Sequence, residues 1–230
     1  MVYDRMLYDN PAGNSLANTC DKLPTISGLA SQYRCSELGD YLAGTWSKHL
    51  LSMLLWTKAS DWPARRRRPS SYIAPSWSWA SLVGPVIWNL EGPHSLSDPG
   101  NYVAEIIEAK CETSPDDEFG SVYSGYLIIS SPYMFLGVRI ESGRRPTVDH
   151  ESISSCLLDS DPVNGRYEVE NGEEVTCLFL RKLRGFSYQG ILIKPVDSTC
   201  TSYVRVGSVL VVRGRFNQLP KLLLGKIRII

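Results

Sequence analysis

Ala74-Pro75-Ser76-Trp77-Ser78-Trp79-Ala80-Ser81 marks the point where this 230-residue chain changes character. Before it, apolar residues recur at steps of three and four. After it, they come in short β-branched and aromatic runs separated by turn residues. Trp77 and Trp79 are two residues apart, so on a strand they share one face and leave Ser76 and Ser78 on the other. All six tryptophans (Trp46, Trp56, Trp62, Trp77, Trp79 and Trp88) fall between positions 46 and 88. Each buries an area on the order of 200 Å². The expectation is a structural junction of Trp46, Trp56, Trp77 and Trp79 that welds a helical part to a β part. An aromatic platform for a base, sugar or peptide is the alternative, but the convergent polar or basic residues that such a platform needs are missing from this stretch.

Upstream, Asp21-Lys22-Leu23-Pro24 reads as a helix start, with Asp21 capping the free amides and Pro24 tolerated in the first turn. Leu23, Ile26, Leu29, Ala30 and Tyr33 then lie on one face. A second helix is predicted after Ser36, because Leu38, Leu42, Trp46, Leu50 and Leu54 recur every four residues. Leu51, Leu55 and Trp56 widen its apolar arc, so it must be buried on more than one side. Residues 61–75, with Pro63, Pro69, Pro75 and the run Arg65–Arg68, read as a linker. Strands are predicted at 102–111, 122–130, 134–141, 153–158, 174–182, 188–194, 203–213 and 222–230. The fold class is therefore α+β: short N-terminal helices packed on a predominantly antiparallel β-barrel or β-sandwich. The expected organisation is a helical part at 1–60, the linker at 61–75 and a β-rich part at 76–230, forming one folded unit or a fragment of a longer protein.

The 24 basic and 24 acidic residues cancel, so nothing global steers the chain toward nucleic acid or an anionic membrane. The start, Met1 to Asn10, has no apolar core of a secretory signal, and no stretch is long and apolar enough to span a bilayer. Cys20, Cys35, Cys111, Cys156, Cys177 and Cys200 form no Cys-x-x-Cys pair and read as reduced thiols, mostly small core residues, in a cytoplasmic protein. His49, His94 and His150 are each more than four residues from any cysteine or other histidine, which argues against a metal site. There is no Gly-x-Ser-x-Gly elbow, Walker A loop or dinucleotide fingerprint. Asp116-Asp117 and Glu173-Glu174 read as solvated turns. Arg65–Arg68 could contact phosphates, but its proline flanks and the neutral overall charge favour a solvated loop. Catalytic, metal and cofactor residues are thus expected to be none.

Several blocks nevertheless share one resemblance. They are Asp21-Lys22-Leu23-Pro24-Thr25-Ile26-Ser27-Gly28-Leu29-Ala30, Tyr41-Leu42-Ala43-Gly44-Thr45-Trp46, Leu54-Leu55-Trp56, Arg68-Pro69, and the tryptophan segment itself. Together they resemble the region that follows the HET domain in fungal heterokaryon-incompatibility proteins. The stretch from Val175 through Ile193 to Gly207 is similar to the β-rich tail of that family. The HET domain itself, which resembles TIR domains, has no counterpart in the sequence, so none of its functional residues transfers. The resemblance implies a non-enzymatic regulatory or interaction module in non-self recognition and programmed cell death. Its partner would be a HET domain, in cis or in another protein, or a second copy of the chain, with the exposed face of the N-terminal helices as the contact. Two rival expectations stand beside it. One is an enzyme whose site gathers His94 or His150 with Cys and Asp residues in the β-rich part. The other is nucleic-acid binding through Arg65–Arg68.

Overall fold

The computed structural model describes residues 21–59, 67–88, 101–141, 145–150, 153–162, 168–183, 187–211 and 223–230. They are mostly β, with a large antiparallel sheet and a few short helical segments. Helix α1 spans Lys22–Gln32. Leu23 and Ala30 are buried against the sheet and Ile26 packs on the same core, while Leu29 is exposed. Asp21 makes no side-chain capping bond. Its backbone (φ −88°, ψ 0°) is nearly helical, whereas a cap needs an extended residue to swing its carboxylate over the following amides.

The second helix of the sequence reading is mostly a hairpin. Strands β1 (Tyr41–Leu42) and β2 (Thr45–Trp46) pair antiparallel around Ala43-Gly44, whose φ values are +46° and +91°. Positive φ at both central residues is the demand of a two-residue type I′ turn. A 3-10 turn at Ser47–His49 follows, and only Leu50–Met53 is α-helical, as α2. The four-residue recurrence misled because Leu42, Thr45 and Trp46 are all buried. A hairpin covered on both faces carries apolar residues at spacings that mimic a broad helix.

The tryptophan segment is likewise not a strand. It turns through Pro75–Ser78 into a 3-10 turn at Trp79–Ser81, where the Ser78 hydroxyl accepts a hydrogen bond from the Ala80 N–H at 3.1 Å. Tryptophans and serines are buried alike, so no face alternates. The segment sits between β3 (Trp56–Lys58) and β4 (Val86–Trp88), which pair with Trp56 opposite Trp88.

The large sheet holds β5 (Glu105–Ser114), β6 (Asp117–Arg139), β8 (Ile153–Leu158), β9 (Glu174–Lys182), β10 (Tyr188–Pro195), β11 (Tyr203–Val211) and β12 (Leu223–Ile229), with the short β7 (Thr147–Val148) on β6. The predicted strands 122–130 and 134–141 are one continuous strand, β6, in which Pro132 lies opposite Leu224 of β12. Strand order is β10-β9-β6-β12-β11-β8, and β10 also pairs with β11. The β11–β12 contact is parallel and one residue pair wide, Tyr203 with Ile229. These pairings establish one large antiparallel sheet; the expected barrel or sandwich is a finer architecture than they define.

Strands β9 and β10 are buried on both faces, which is why they read as nearly unbroken apolar runs. Leu178, Leu180, Ile191 and Ile193 enter one core, whereas Cys177, Phe179 and Leu192 enter another. The first core also takes Leu23, Leu50, Trp56, Trp77 and Trp79, so residues from the 1–60 and 76–230 stretches share it.

The hairpin turn supplies a test. A Cβ on Gly44 would lie 2.6 Å from the Trp79 indole nitrogen, while one on Gly172, at similar φ (+85°), would meet nothing within 4 Å. In urea denaturation, Gly172→Ala is expected to cost about 1 kcal/mol from left-handed strain alone. Gly44→Ala is expected to cost about 1–3 kcal/mol more, because the packed indole cannot yield. Equal losses would show that the turn does not pack on Trp79.

Candidate functional site

Three buried indoles donate to the main chain of a distant segment. Trp56 Nε1 donates to the Trp77 carbonyl, Trp79 Nε1 to that of Gly44 and Trp88 Nε1 to that of Met53, each at 3.0 Å. The Ser78 hydroxyl donates to the Ala43 carbonyl at 2.6 Å. Trp79 and Trp88 meet edge to face at 6.4 Å. Trp46 lies elsewhere in the same region, in a cluster with Tyr41 and Phe119 at 5.2 and 6.1 Å. The structure thus brings Trp56, Trp77 and Trp79 together and places Trp46 at the hairpin's own aromatic cluster. Trp62 lies outside the described residues.

A residue that sequence reasoning missed holds this assembly. Arg205 on β11 is fully buried. Its guanidinium donates to the carbonyls of Leu54 and Trp56, both at 2.6 Å, and to both carboxylate oxygens of buried Asp159, at 3.0 and 3.2 Å. It also covers the Trp56 ring at 3.4 Å. The Arg205 N–H donates to the Ser76 hydroxyl at 3.0 Å, and its carbonyl accepts from Arg68. Burial lowers the Arg205 pKa and the Asp159 carboxylate opposes that shift; an arginine keeps its proton either way. In sequence, Arg205 stands inside the run Tyr203-Val204-Arg205-Val206, where alternation places it on the face opposite the two valines, so the run gives no signal of its burial.

Arg68, expected in a solvated loop, is drawn into the same network. It pairs with Glu168 at 3.1 Å and Asp159 at 3.5 Å, and donates to the Ser81 hydroxyl at 2.7 Å. Arg67 is exposed, and Arg65 and Arg66 lie outside the described residues. On the opposite side of the tryptophan turn, Lys22 is buried with its ammonium on the carbonyls of Leu82 (2.5 Å) and Gly84 (3.3 Å) and 5.6 Å from the Trp79 ring centroid. Among the described residues its partners include no carboxylate, and burial lowers its pKa to about 8.

Beside the junction runs a cleft of about 470 Å³. Segment 68–76 forms one wall, with Tyr72, Ile73 and Ala74; Ser124, Gly125 and Tyr126 of β6 form the other. Arg228 of β12 also lines it, stacked 4.1 Å from the Tyr126 ring centroid. Tyr126 donates its hydroxyl proton to Glu108 at 2.7 Å, and Glu108 also holds Lys110 at 2.7 Å.

The other candidates do not converge. Among the described residues no group of three His, Cys, Asp or Glu side chains could hold a metal ion. His94 lies outside them, and His49 and His150 sit on different elements, the 3-10 turn before α2 and the end of β7. Cys156 and Cys177 are buried in the second core and Cys111 packs on the first, whereas Cys35 and Cys200 are exposed. Burial pushes the Cys111 thiol up to about 12 and Cys156 up to about 11. Asp116 and Asp117 are exposed at the β5–β6 turn, whereas Glu173 pairs with Lys194 at 3.4 Å instead of being merely solvated. No described helix is long and apolar enough to cross a membrane. No family model, no curated protein and no solved structure matches the chain.

Two outcomes test the junction. Removing one partner of a buried ion pair strands the other, so Arg205→Met and Asp159→Leu are each expected to cost about 3–5 kcal/mol in chemical denaturation. The double variant should cost clearly less than the sum; strict additivity would show that the two groups are not coupled. The Lys22 test is a pH series. With its folded pKa at about 8 against the ordinary 10.5, the unfolded chain holds the lysine proton more tightly between those values. The penalty is complete below pH 8 and fades as pH rises toward 10.5. Relative to Lys22→Met, the wild-type chain should therefore gain up to about 3 kcal/mol across that window. The paired comparison cancels the opposite trend from Cys111 and Cys156, whose raised values favour the folded chain less at high pH.

Proposed function

We propose that the chain is a non-enzymatic interaction module of the kind that follows the HET domain in fungal heterokaryon-incompatibility proteins, working with a HET domain in the same polypeptide or in a partner. One observation carries this reading. The blocks that bear the resemblance, scattered over the first eighty or so residues, meet at a single buried junction. Lys22 reaches Leu82 and Gly84, Ala43 and Gly44 accept from Ser78 and Trp79, and Leu54 and Trp56 accept from Arg205. Residue types fixed by such contacts build a scaffold, not a set of reactive groups.

The rival readings have less support. An enzyme with a cysteine nucleophile needs a thiol that ionises near neutrality, and burial drives Cys111 and Cys156 the other way. Nucleic-acid binding needs free guanidinium groups, and Arg68 is saturated by Asp159, Glu168, Ser81 and the Arg205 carbonyl. Helix α1 turns Leu23, Ala30 and part of Ile26 into its own core, so the exposed face expected to meet a partner offers Leu29 as its one large apolar side chain. The cleft beside the junction is the better candidate. Exposed Cys35 and Cys200 fit a reducing, cytoplasmic setting. The circuit of pairings through β6, β9, β10, β11 and β12 fits a small barrel.

The test is sedimentation velocity of the purified chain mixed with HET domains encoded in the same genome. A complex of micromolar affinity with at least one of them is expected. No complex with any, together with a turnover abolished by replacing one cysteine or histidine, would reverse the assignment.

A further inference from the structure

We infer that the cleft beside the tryptophan turn is a docking groove for an extended peptide carrying an acidic side chain, which adds a strand to the edge of β6 that no described strand pairs. This rests on the reading of the chain as an interaction module and names the chemistry of its contact.

The edge comes first. Strand β6 pairs with β12 from Leu127 to Tyr133 and with β5 from Asp117 to Ser130. Between Val122 and Tyr126, therefore, one edge of β6 is covered by β5 and the other meets no described strand. Ser124, Gly125 and Tyr126 are the residues of that stretch that wall the cleft. Unpaired strand edges are normally guarded by charge. Strand β5, at the sheet's margin, has such guards in Glu105, Glu108, Lys110 and Glu112. The run Val122-Tyr123-Ser124-Gly125-Tyr126 has none. Main-chain pairing would supply affinity there, and pockets for alternate side chains would supply selectivity.

The charge comes second. Arg228 is exposed beside the cleft, and its described contact is the face of Tyr126. Glu108, whose field reaches Arg228, is already bound by Lys110 and the Tyr126 hydroxyl. Arg68, at the far wall, is spent on Asp159 and Glu168. The groove thus offers one uncommitted cation amid apolar Tyr72, Ile73 and Ala74, which suits a single carboxylate on an otherwise uncharged strand better than a phosphate needing several donors.

The probe is a short blocked peptide of alternating valine and threonine with one central aspartate, alongside versions with asparagine or lysine at that place. Amide exchange and NMR shifts of the full chain are followed during titration. The aspartate peptide should slow exchange and shift signals at Ser124–Tyr126, and should bind about tenfold more tightly than the lysine peptide. Arg228→Glu, an exposed substitution, should reverse that preference, and Tyr72→Ala should weaken all three peptides without altering the fold. Absence of any change at Ser124–Tyr126 at millimolar peptide would overturn the inference. So would equal binding of the aspartate and lysine peptides, or full displacement by inorganic phosphate, which would mark a small-anion site. A HET-domain complex untouched by Arg228→Glu, with no peptide binding, would sink the groove and leave the interaction reading standing. Peptide binding as expected with no HET-domain complex would do the reverse.

Discussion

The guanidinium of Arg205 is the constraint on which the rest of the molecule depends. It is buried on a strand of the large sheet, yet it reaches the carbonyls of Leu54 and Trp56, which belong to no part of that sheet, and the main-chain N–H of the same residue adds the hydroxyl of Ser76. Leu54 caps the end of α2 and Trp56 opens β3, positions where main-chain carbonyls lie at the limit of helix and ladder. An unpaired buried carbonyl costs on the order of 1–3 kcal/mol. Arg205 satisfies two of them with one side chain, and Asp159 balances its charge. The irregular N-terminal half can be buried because the sheet donates a fork of hydrogen bonds into it.

The same solution recurs around the junction in other side chains. Trp56, Trp79 and Trp88 each present an indole N–H to a carbonyl of another segment, and Lys22 presents its ammonium to Leu82 and Gly84. The two buried cations of the junction differ in one respect. Arg205 has a carboxylate, and a guanidinium keeps its proton. Lys22 has carbonyl dipoles and the Trp79 ring as its partners among the described residues, so it is the one of the two that can shed its charge as pH rises.

Much of the β part was legible in the sequence. Strands β8 to β12 fall within a residue or two of their predicted spans, because alternating or continuous apolar runs between turn clusters have few other solutions. The N-terminal half was not. Leu38, Leu42, Trp46, Leu50 and Leu54 keep helical spacing, but Ala43-Gly44 bends the chain into a hairpin, and a tight turn overrides periodicity when both its flanks are buried. Trp77 and Trp79 were correctly read as buried, yet for the wrong geometry, since a 3-10 turn and not a strand carries Trp79. Arg205 escaped notice because a lone arginine between valines reads as an outward-facing position. Only the three-dimensional meeting of Asp159, Leu54 and Trp56 makes it an interior one.

The junction also explains where a partner can and cannot bind. Its polar groups are turned inward and largely satisfied among themselves, so the tryptophan turn offers a ligand few donors and presents a rigid wall. Rigidity matters to the adjoining cleft, because Tyr72, Ile73 and Ala74 lie only a few residues from Ser76, which is tied to Ile230 and Arg205. On the facing side, β6 is clamped by β5 and by the first core through Val122 and Leu127. A groove with both walls anchored pays little ordering entropy on binding, which is the physical advantage of a preformed strand edge over a surface loop.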